Sequence, residues 1–263
     1  MASEYLLHKG ERKMPCILVI ISVLTLPLLA SSNEASKDRD TFIASKASEY
    51  MKKCIEKLHD PGQEIRIAFL GDSITEKNLH THEKANYFDF MECYFRAKNP
   101  RALVKNMGKS GRTTVTALDI LDTEVIKFKP DLTYVMLGIN DSSSWFNVTL
   151  EDYRKNLGTI ITNLVENGSA VVVMTQNEIK DNPYDGKVTF THYAEFAKAS
   201  RDIAITLGVP CIDNYTQWQK LKKDDPPKFE SYMNDWIHPN EEGHIFYYLF
   251  MRSNTESILS STK

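Results

Sequence analysis

Four short stretches of this 263-residue chain carry side chains that could do acyl chemistry: three lie just after apolar runs, and the fourth follows the last such run and leads into the final helix. "GDSIT" (71–75) brings Asp72 and Ser73 to the end of the run "IRIAFL", and "DWIHPNEEG" (235–243) places Asp235 three residues before His238. A serine hydroxyl is a poor nucleophile until a base takes its proton, and the natural base near neutral pH is a histidine oriented by a carboxylate. Ser73, His238 and Asp235 supply those parts. Their spacing lets one turn bring the Asp235 carboxylate to the imidazole Nδ1, which leaves Nε2 to face Ser73. Attack on an ester also makes an oxyanion, which needs donors aimed at it beforehand. The candidates are the backbone N–H of Ser73, that of Gly108 in "NMGKSGRTT" (106–114) and the side-chain amide of Asn140 in "GIND" (138–141). Gly108 suits the role because a missing Cβ lets a peptide approach a substrate closely. Asp72 reads as structural, holding the turn.

Residues so far apart must be carried to one place by the fold. The apolar runs "IRIAFL", "ALVKNM", "LTYVML", "AVVVMT" and "VPCID" read as strands, interleaved with helical patterns near 86–97, 113–127, 150–166 and 191–207 and a last helix from Glu241. That alternation implies an α/β domain whose mostly parallel sheet is covered on both faces. Ligands of such sheets bind outside the carboxyl ends of the strands, where the four loaded stretches fall. Before the sheet, residues 31–64 read as a polar linker followed by an amphipathic helix over 41–58, with Phe42, Ile43, Met51, Ile55 and Leu58 as its apolar side. Residues 65–263 read as one domain, without internal repeat or dividing linker.

The four stretches together resemble the blocks of the SGNH hydrolases, the GDSL family of serine esterases. "GDSIT" is similar to the family's first block, "NMGKSGRTT" to its glycine block, "GIND" to its asparagine block and "DWIHPN" to its DxxH block, in family order over about 65–250. The resemblance implies a three-layer α/β/α, flavodoxin-like fold. It also implies Ser73 as nucleophile, Asp235 and His238 as its partners, and Ser73, Gly108 and Asn140 as oxyanion donors, with no cofactor and no metal. Isoleucine stands where the family name has leucine. The nucleophile does not lie in GxSxG, which argues against the strained elbow of an α/β-hydrolase.

Each stretch also has a plainer reading. Gly-Asp-Ser alone is an ordinary strand-ending turn, and Pro239 with Glu241 and Glu242 reads as a helix start in which Pro is the first helical residue. "HTH" (80–82) has two imidazoles but no third ligand at a helpful spacing, so it reads as a solvated loop. "KSGRTT" lacks the spacing of a phosphate-binding loop. Trp145, Phe146 and Trp236 adjoin the asparagine and DxxH blocks, where they could stack on a sugar, floor an acyl pocket or simply pack.

The N-terminus has signal-peptide grammar: "HKGERKM" (8–14) precedes the uncharged run "PCILVIISVLTLPLLA" (15–30). A leader over 1–30, cut after Ala30, is expected, with an uncleaved anchor as the alternative and Met14 as an alternative start. Export leaves Cys54, Cys93 and Cys211, an odd number without a disulfide framework or metal spacing. Asn147, Asn167 and Asn214 begin N-x-S/T triplets, as does Asn140, where a glycan would sit in the sheet edge. A formal net charge of −3, with no long single-sign block, gives no footing for nucleic acid or an anionic membrane. The expectation is an exported serine esterase, secreted or periplasmic, acting on small acyl esters, above all acetyl groups on carbohydrate. A lysophospholipase or acyl thioesterase using the same site is the rival enzyme. A glycan-binding module without catalysis is the rival from another class.

Overall fold

The computed structural model describes residues 26–77, 79–180, 189–190 and 192–260. The chain divides into two compact units, Met1–Lys37 and Asp38–Lys263. The described part of the first, from Leu26, is helical. The second holds a sheet of five parallel strands: β1 (Ile65–Gly71), β2 (Ala102–Gly108), β3 (Leu132–Met136), β4 (Ala170–Met174) and β5 (Cys211–Ile212), in the order β2-β1-β3-β4-β5. The helices are α1 (Leu26–His59), α2 (Tyr87–Lys98), α3 (Thr114–Ile120), α4 (Leu150–Glu166), α5 (Tyr193–Thr206), α6 (Asn214–Asp224), α7 (Pro226–Ser231) and α8 (Glu241–Ser260). This strand order is the flavodoxin-like one, and its switch point lies between β1 and β3. In register, Gly71 stands beside Gly108 on one side and Met136 on the other, so the three strands end level.

Period-two alternation divides the strand residues between two cores. Ile67 and Phe69 of β1 join Tyr134, Met136, Val172 and Met174 against α2 and α8. Ala68 and Leu70 join Val135, Val171 and Val173 against α3, α4 and α5. Phe69 stacks on Tyr134 with ring centroids 4.6 Å apart, and fully burying a side chain of that size is worth about 1.5–3 kcal/mol. Both faces of the sheet are thereby covered, which is why the central strands β1, β3 and β4 read as apolar runs rather than alternating ones. α1 contributes to both cores through Ile43, Ala47, Met51, Cys54 and Leu58, spaced by three and four residues.

All five expected strands are present, and so are the expected helices, with differences at their margins. The helix expected over 41–58 already begins at Leu26, because "SSNEASKDRD" (31–40) contains neither Gly nor Pro to break it. Phe42, expected on its apolar side, is exposed. The segment expected as helix over 113–127 is α3 followed by a π-helical turn, Leu121–Val125, and a 3-10 turn, Ile126–Phe128, closed by left-handed Lys129. Pro239 is not the first residue of α8: Asn240 caps it, its Oδ1 accepting from Gly243 N–H at 3.0 Å. α6 and α7 were not foreseen, since few apolar residues mark them. Their caps, Asp213 and Asp225, the second followed by Pro226, were the legible signal.

Residues 1–25 of the expected leader lie outside the described residues, and no described helix is long and apolar enough to cross a membrane. Cys54, Cys93 and Cys211 are free thiols; burial, foremost, pushes Cys54 up to about 12. Of the glycan triplets, Asn147 and Asn167 are exposed, whereas Asn214 is buried and its amide donates to the Thr175 carbonyl at 2.8 Å.

Candidate active site

Ser73 follows β1 in a turn built by Asp72. The Asp72 carbonyl accepts from Thr75 and Glu76 N–H at 3.1 and 2.8 Å, and its Oδ1 accepts from Ile74 N–H at 3.0 Å. The turn exposes only 6% of Ser73. The Ser73 Oγ lies 2.8 Å from His238 Nε2.

His238 sits in a loop closed by an isolated bridge between Met233 and Pro239 and by Asn234 N–H donating to the His238 carbonyl at 2.8 Å. The three-residue spacing works as a turn around one carboxylate. Asp235 Oδ1 accepts from Ile237 and His238 N–H, both at 2.7 Å, and Oδ2 faces His238 Nδ1 at 2.8 Å. Burial acts to raise the Asp235 carboxyl, but the hydrogen bond and charge of His238 and the two backbone donors outweigh it and hold it at about 2. A carboxylate ionised across the working range, on the far side of the ring from Ser73, favours the tautomer with a proton on Nδ1 and a free lone pair on Nε2.

Asn140 lies after β3, where its Nδ2 donates to the Arg112 carbonyl at 3.0 Å and to Asp72 Oδ2 at 3.3 Å. The same Asp72 oxygen accepts from Gln176 Nε2 at 2.5 Å, and Gln176 Oε1 accepts from Ile139 N–H at 2.6 Å. Gln176 therefore ties the end of β4 to both the serine turn and the asparagine turn. Burial pushes the Asp72 carboxyl up to about 6, against the donors from Ile74 and Gln176. Gln176 was not singled out in the sequence, and its one signal was its place just after an apolar run.

Gly108 is not at the cleft. It is the last residue of β2, and its N–H donates to Asn106 Oδ1 at 2.8 Å. Its missing Cβ serves packing, since a Cβ there would lie 2.4 Å from the Glu76 nitrogen and 2.6 Å from the Thr75 carbonyl carbon. The glycine that lines the cleft with Ser73, Asn140 and His238 is Gly111, at φ +74°. Among the described residues neither its N–H nor that of Ser73 has a hydrogen-bond partner. The loop that presents it is pinned on both sides. Glu76 accepts from Ser110 N–H at 2.6 Å and from the Ser110 hydroxyl, and the Arg112 guanidinium donates to the Met107 and Gly71 carbonyls.

The cleft has a volume of about 370 Å³ and is walled on its apolar side by Trp145, Phe146, Phe190, Trp236 and Ile237. Trp145 is 73% exposed, and Phe190 meets Trp236 edge-on at 5.1 Å. The "HTH" segment is not a merely solvated loop: half-buried His80 lines the cleft with its ring stacked on His238, centroids 3.7 Å apart and planes within 15°. His80, Asp235 and His238 bring ligand atoms within 4.8 Å of one another. Stacked imidazoles direct their lone pairs along parallel planes, however, so one ion could not lie in both ring planes unless His80 turned. What the assembly can do as it stands is take a proton from a hydroxyl beside two unengaged backbone donors and an amide.

A family model described as GDSL-like lipase/acylhydrolase matches residues 69–245. An acetylxylan esterase of Geobacillus stearothermophilus is 24% identical over 203 residues, covering 70% of this chain and 90% of that protein. The crystal structure of an acetylxylan esterase from the same organism superposes with a TM-score of 0.60 at 21% identity, over 72% of this chain and 93% of that one, a likeness of fold. A lipase/acylhydrolase from Enterococcus faecalis superposes with a TM-score of 0.61 at 26% identity, over 74% and 95%.

Proposed function

The chain belongs to the GDSL-like lipase/acylhydrolase family and is a serine ester hydrolase, and we propose that its acyl-enzyme forms on Ser73. The observation that carries this reading is the continuous line Ser73 Oγ, His238 Nε2, His238 Nδ1, Asp235 Oδ2, with 2.8 Å at both contacts. His238 takes the Ser73 proton as Oγ attacks the ester carbonyl, and the oxyanion forms within reach of the Ser73 N–H, the Gly111 N–H and Asn140 Nδ2. Gly111 replaces Gly108 as the second donor because it lines the cleft with an unengaged N–H. His238 then returns its proton to the departing alkoxide, and water, activated by the same imidazole, releases the acid. Asn140 Nδ2 donates to the Arg112 carbonyl at an ordinary 3.0 Å and to Asp72 Oδ2 at 3.3 Å, and the longer of the two is the contact that an oxyanion would displace.

The proposed substrate is a small acyl ester, foremost acetyl, on carbohydrate, and the proposed setting is outside the cytoplasm. Exposed Trp145 and Phe146 at the cleft rim support the first, since a flat ring in solvent offers a face to a pyranose, as does a relative named acetylxylan esterase. The basic-then-apolar stretch 8–30 supports the second. The apolar wall of Phe190, Trp236 and Ile237 favours a second reading, a longer acyl chain as in a lysophospholipase or thioesterase. A panel of acetylated xylo-oligosaccharides, aryl acetate, aryl octanoate, lysophospholipid and acyl-CoA separates the two. Highest kcat/KM on the acetylated saccharides is expected, and a preference for octanoate or lysophospholipid overturns the carbohydrate reading. An organophosphonate adduct on Ser73 is expected in the same enzyme, and its absence overturns the nucleophile.

A further inference from the structure

We propose that His80 is a positioning residue of this esterase, whose ring face holds the His238 imidazole in line with Ser73 and stabilises the imidazolium that forms as Ser73 attacks. The inference rests on the serine-esterase reading above and extends it to a residue outside the four blocks. The ring centroids lie 3.7 Å apart and the planes within 15° of parallel, close enough for His80 to fix the plane of His238. Asp235 fixes the Nδ1 edge of the ring and Ser73 meets the Nε2 edge. A ring held only at its edges can still rock about that axis, and a face contact removes this freedom.

The loop carrying His80 is itself fastened to the loop carrying His238. The Asn234 amide donates to the His80 carbonyl at 3.1 Å and lies 3.0 Å from His82 Nε2, while the Asn234 backbone N–H donates to the His238 carbonyl at 2.8 Å. Asn234 thus joins the two loops from both sides. The chain turns through positive φ at His82 and Glu83, a conformation such residues adopt when surroundings dictate it.

The charge state suits the role. Burial and, second, His238 push the His80 imidazole below its ordinary value, against the opposing pull of Asp235 and Glu76 and with His82 adding to the lowering. His80 therefore stays neutral while His238 takes the proton, and a neutral π face over a cation is attractive where a second cation would repel. Among the described residues, Asp72 just after β1 and His244 on α8 also interact electrostatically with His238, and His244 is held neutral by burial, at about 3. No proton needs to leave or reach His80 in this scheme.

The test uses the full-length enzyme with an aryl acetate. His80→Ala is expected to lower kcat about 10-fold with KM within about 2-fold, and His80→Phe, which restores a flat face, to recover most of that loss. His80→Lys, which sets a cation against the ring, is expected to lower kcat about 100-fold and to move the acid limb of kcat/KM to lower pH. Wild-type kcat in His80→Ala overturns the proposal, as does a His80→Phe enzyme with an unchanged thermal midpoint that is as impaired as His80→Ala. If His80→Ala fails to fold, His80→Phe against His80→Gln carries the comparison, and equal kcat in those two overturns it. Ser73→Ala keeps the two readings apart. Activity surviving in Ser73→Ala defeats the esterase site itself, whereas activity lost there but intact in His80→Ala defeats only the role given to His80.

Discussion

At the scale of single residues, the site separates groups that react from groups that hold them. Replacing Ser73 or His238 by Ala should lower kcat by about 10⁴–10⁶, by analogy with triad deletions elsewhere, and steady-state kinetics on an aryl acetate checks it. Asn140→Ala should cost about 10²–10³ through one lost oxyanion donor, and unchanged kcat would remove it from the proposed trio. Gln176 belongs to the holding groups, because its amide spans Asp72 and the Ile139 N–H. Gln176→Leu leaves that N–H unsatisfied, which should cost about 1–3 kcal/mol of stability, and releases the carboxylate that faces Asn140. Its kcat should fall about 10-fold with KM little changed, and that loss should vanish in an Asn140→Ala background. Ser73 and Asn140 could be read in advance because each comes just after an apolar run, and Asp235 and His238 because a carboxylate three residues before a histidine is itself a local signal. Gly111 could not, since a loop three residues beyond the strand end decides which glycine faces the cleft. His80 and Gln176 act through spatial neighbours, which sequence order does not report.

At the scale of elements, β1, β2 and β3 end level, and each releases a turn into the same space. Gly108 makes this possible by letting β2 lie against the serine turn. Gly108→Ala would set a methyl 2.4 Å from the Glu76 nitrogen, a backbone atom that cannot swing aside. A loss of about 2–3 kcal/mol is expected, read as a lower denaturant midpoint. Gly111→Ala has room, with its nearest atom, Phe146 Cζ, at 3.7 Å, and should cost only about 1–2 kcal/mol for the left-handed backbone. The central strands were legible because burial on both faces makes them nearly uniformly apolar, as in "AVVVM" of β4, whereas edge strand β2 keeps Lys105 and Asn106 and is only partly buried. α6 and α7 were not, because each buries little besides Trp218, Tyr215 and Phe229 and is set by caps rather than by a stripe.

At the scale of the whole molecule, the protein keeps buried carboxyls whose charge works against the fold. Asp141 is 1% exposed; Oδ1 accepts from Thr114 N–H and hydroxyl at 2.8 and 2.5 Å, and Oδ2 has no partner among the described residues. Burial, foremost, pushes its carboxyl up to about 6. The folded state therefore holds this proton more tightly than the unfolded chain, so the contribution of Asp141 to stability falls as pH rises from about 4 to about 6 and is level above that. Asp141→Asn should gain on the wild type across that window by about 1–3 kcal/mol, visible as a thermal midpoint that rises relative to that of the wild type from pH 4 to pH 7. A difference, variant minus wild type, that stays constant or falls contradicts the assignment.

The buried amide of Asn214 bears on how such a chain can be made. It opens an N-x-T triplet, yet in the folded protein it is 1% exposed and bonded to Thr175. An oligosaccharide attached there during synthesis would have nowhere to go once β4 and α6 close together. In a host that decorates such triplets, a molecule modified at Asn214 cannot bury that amide as the fold requires, whereas Asn147 and Asn167 stand exposed in the fold. Yield from such a host should therefore rise when Thr216→Val removes the triplet.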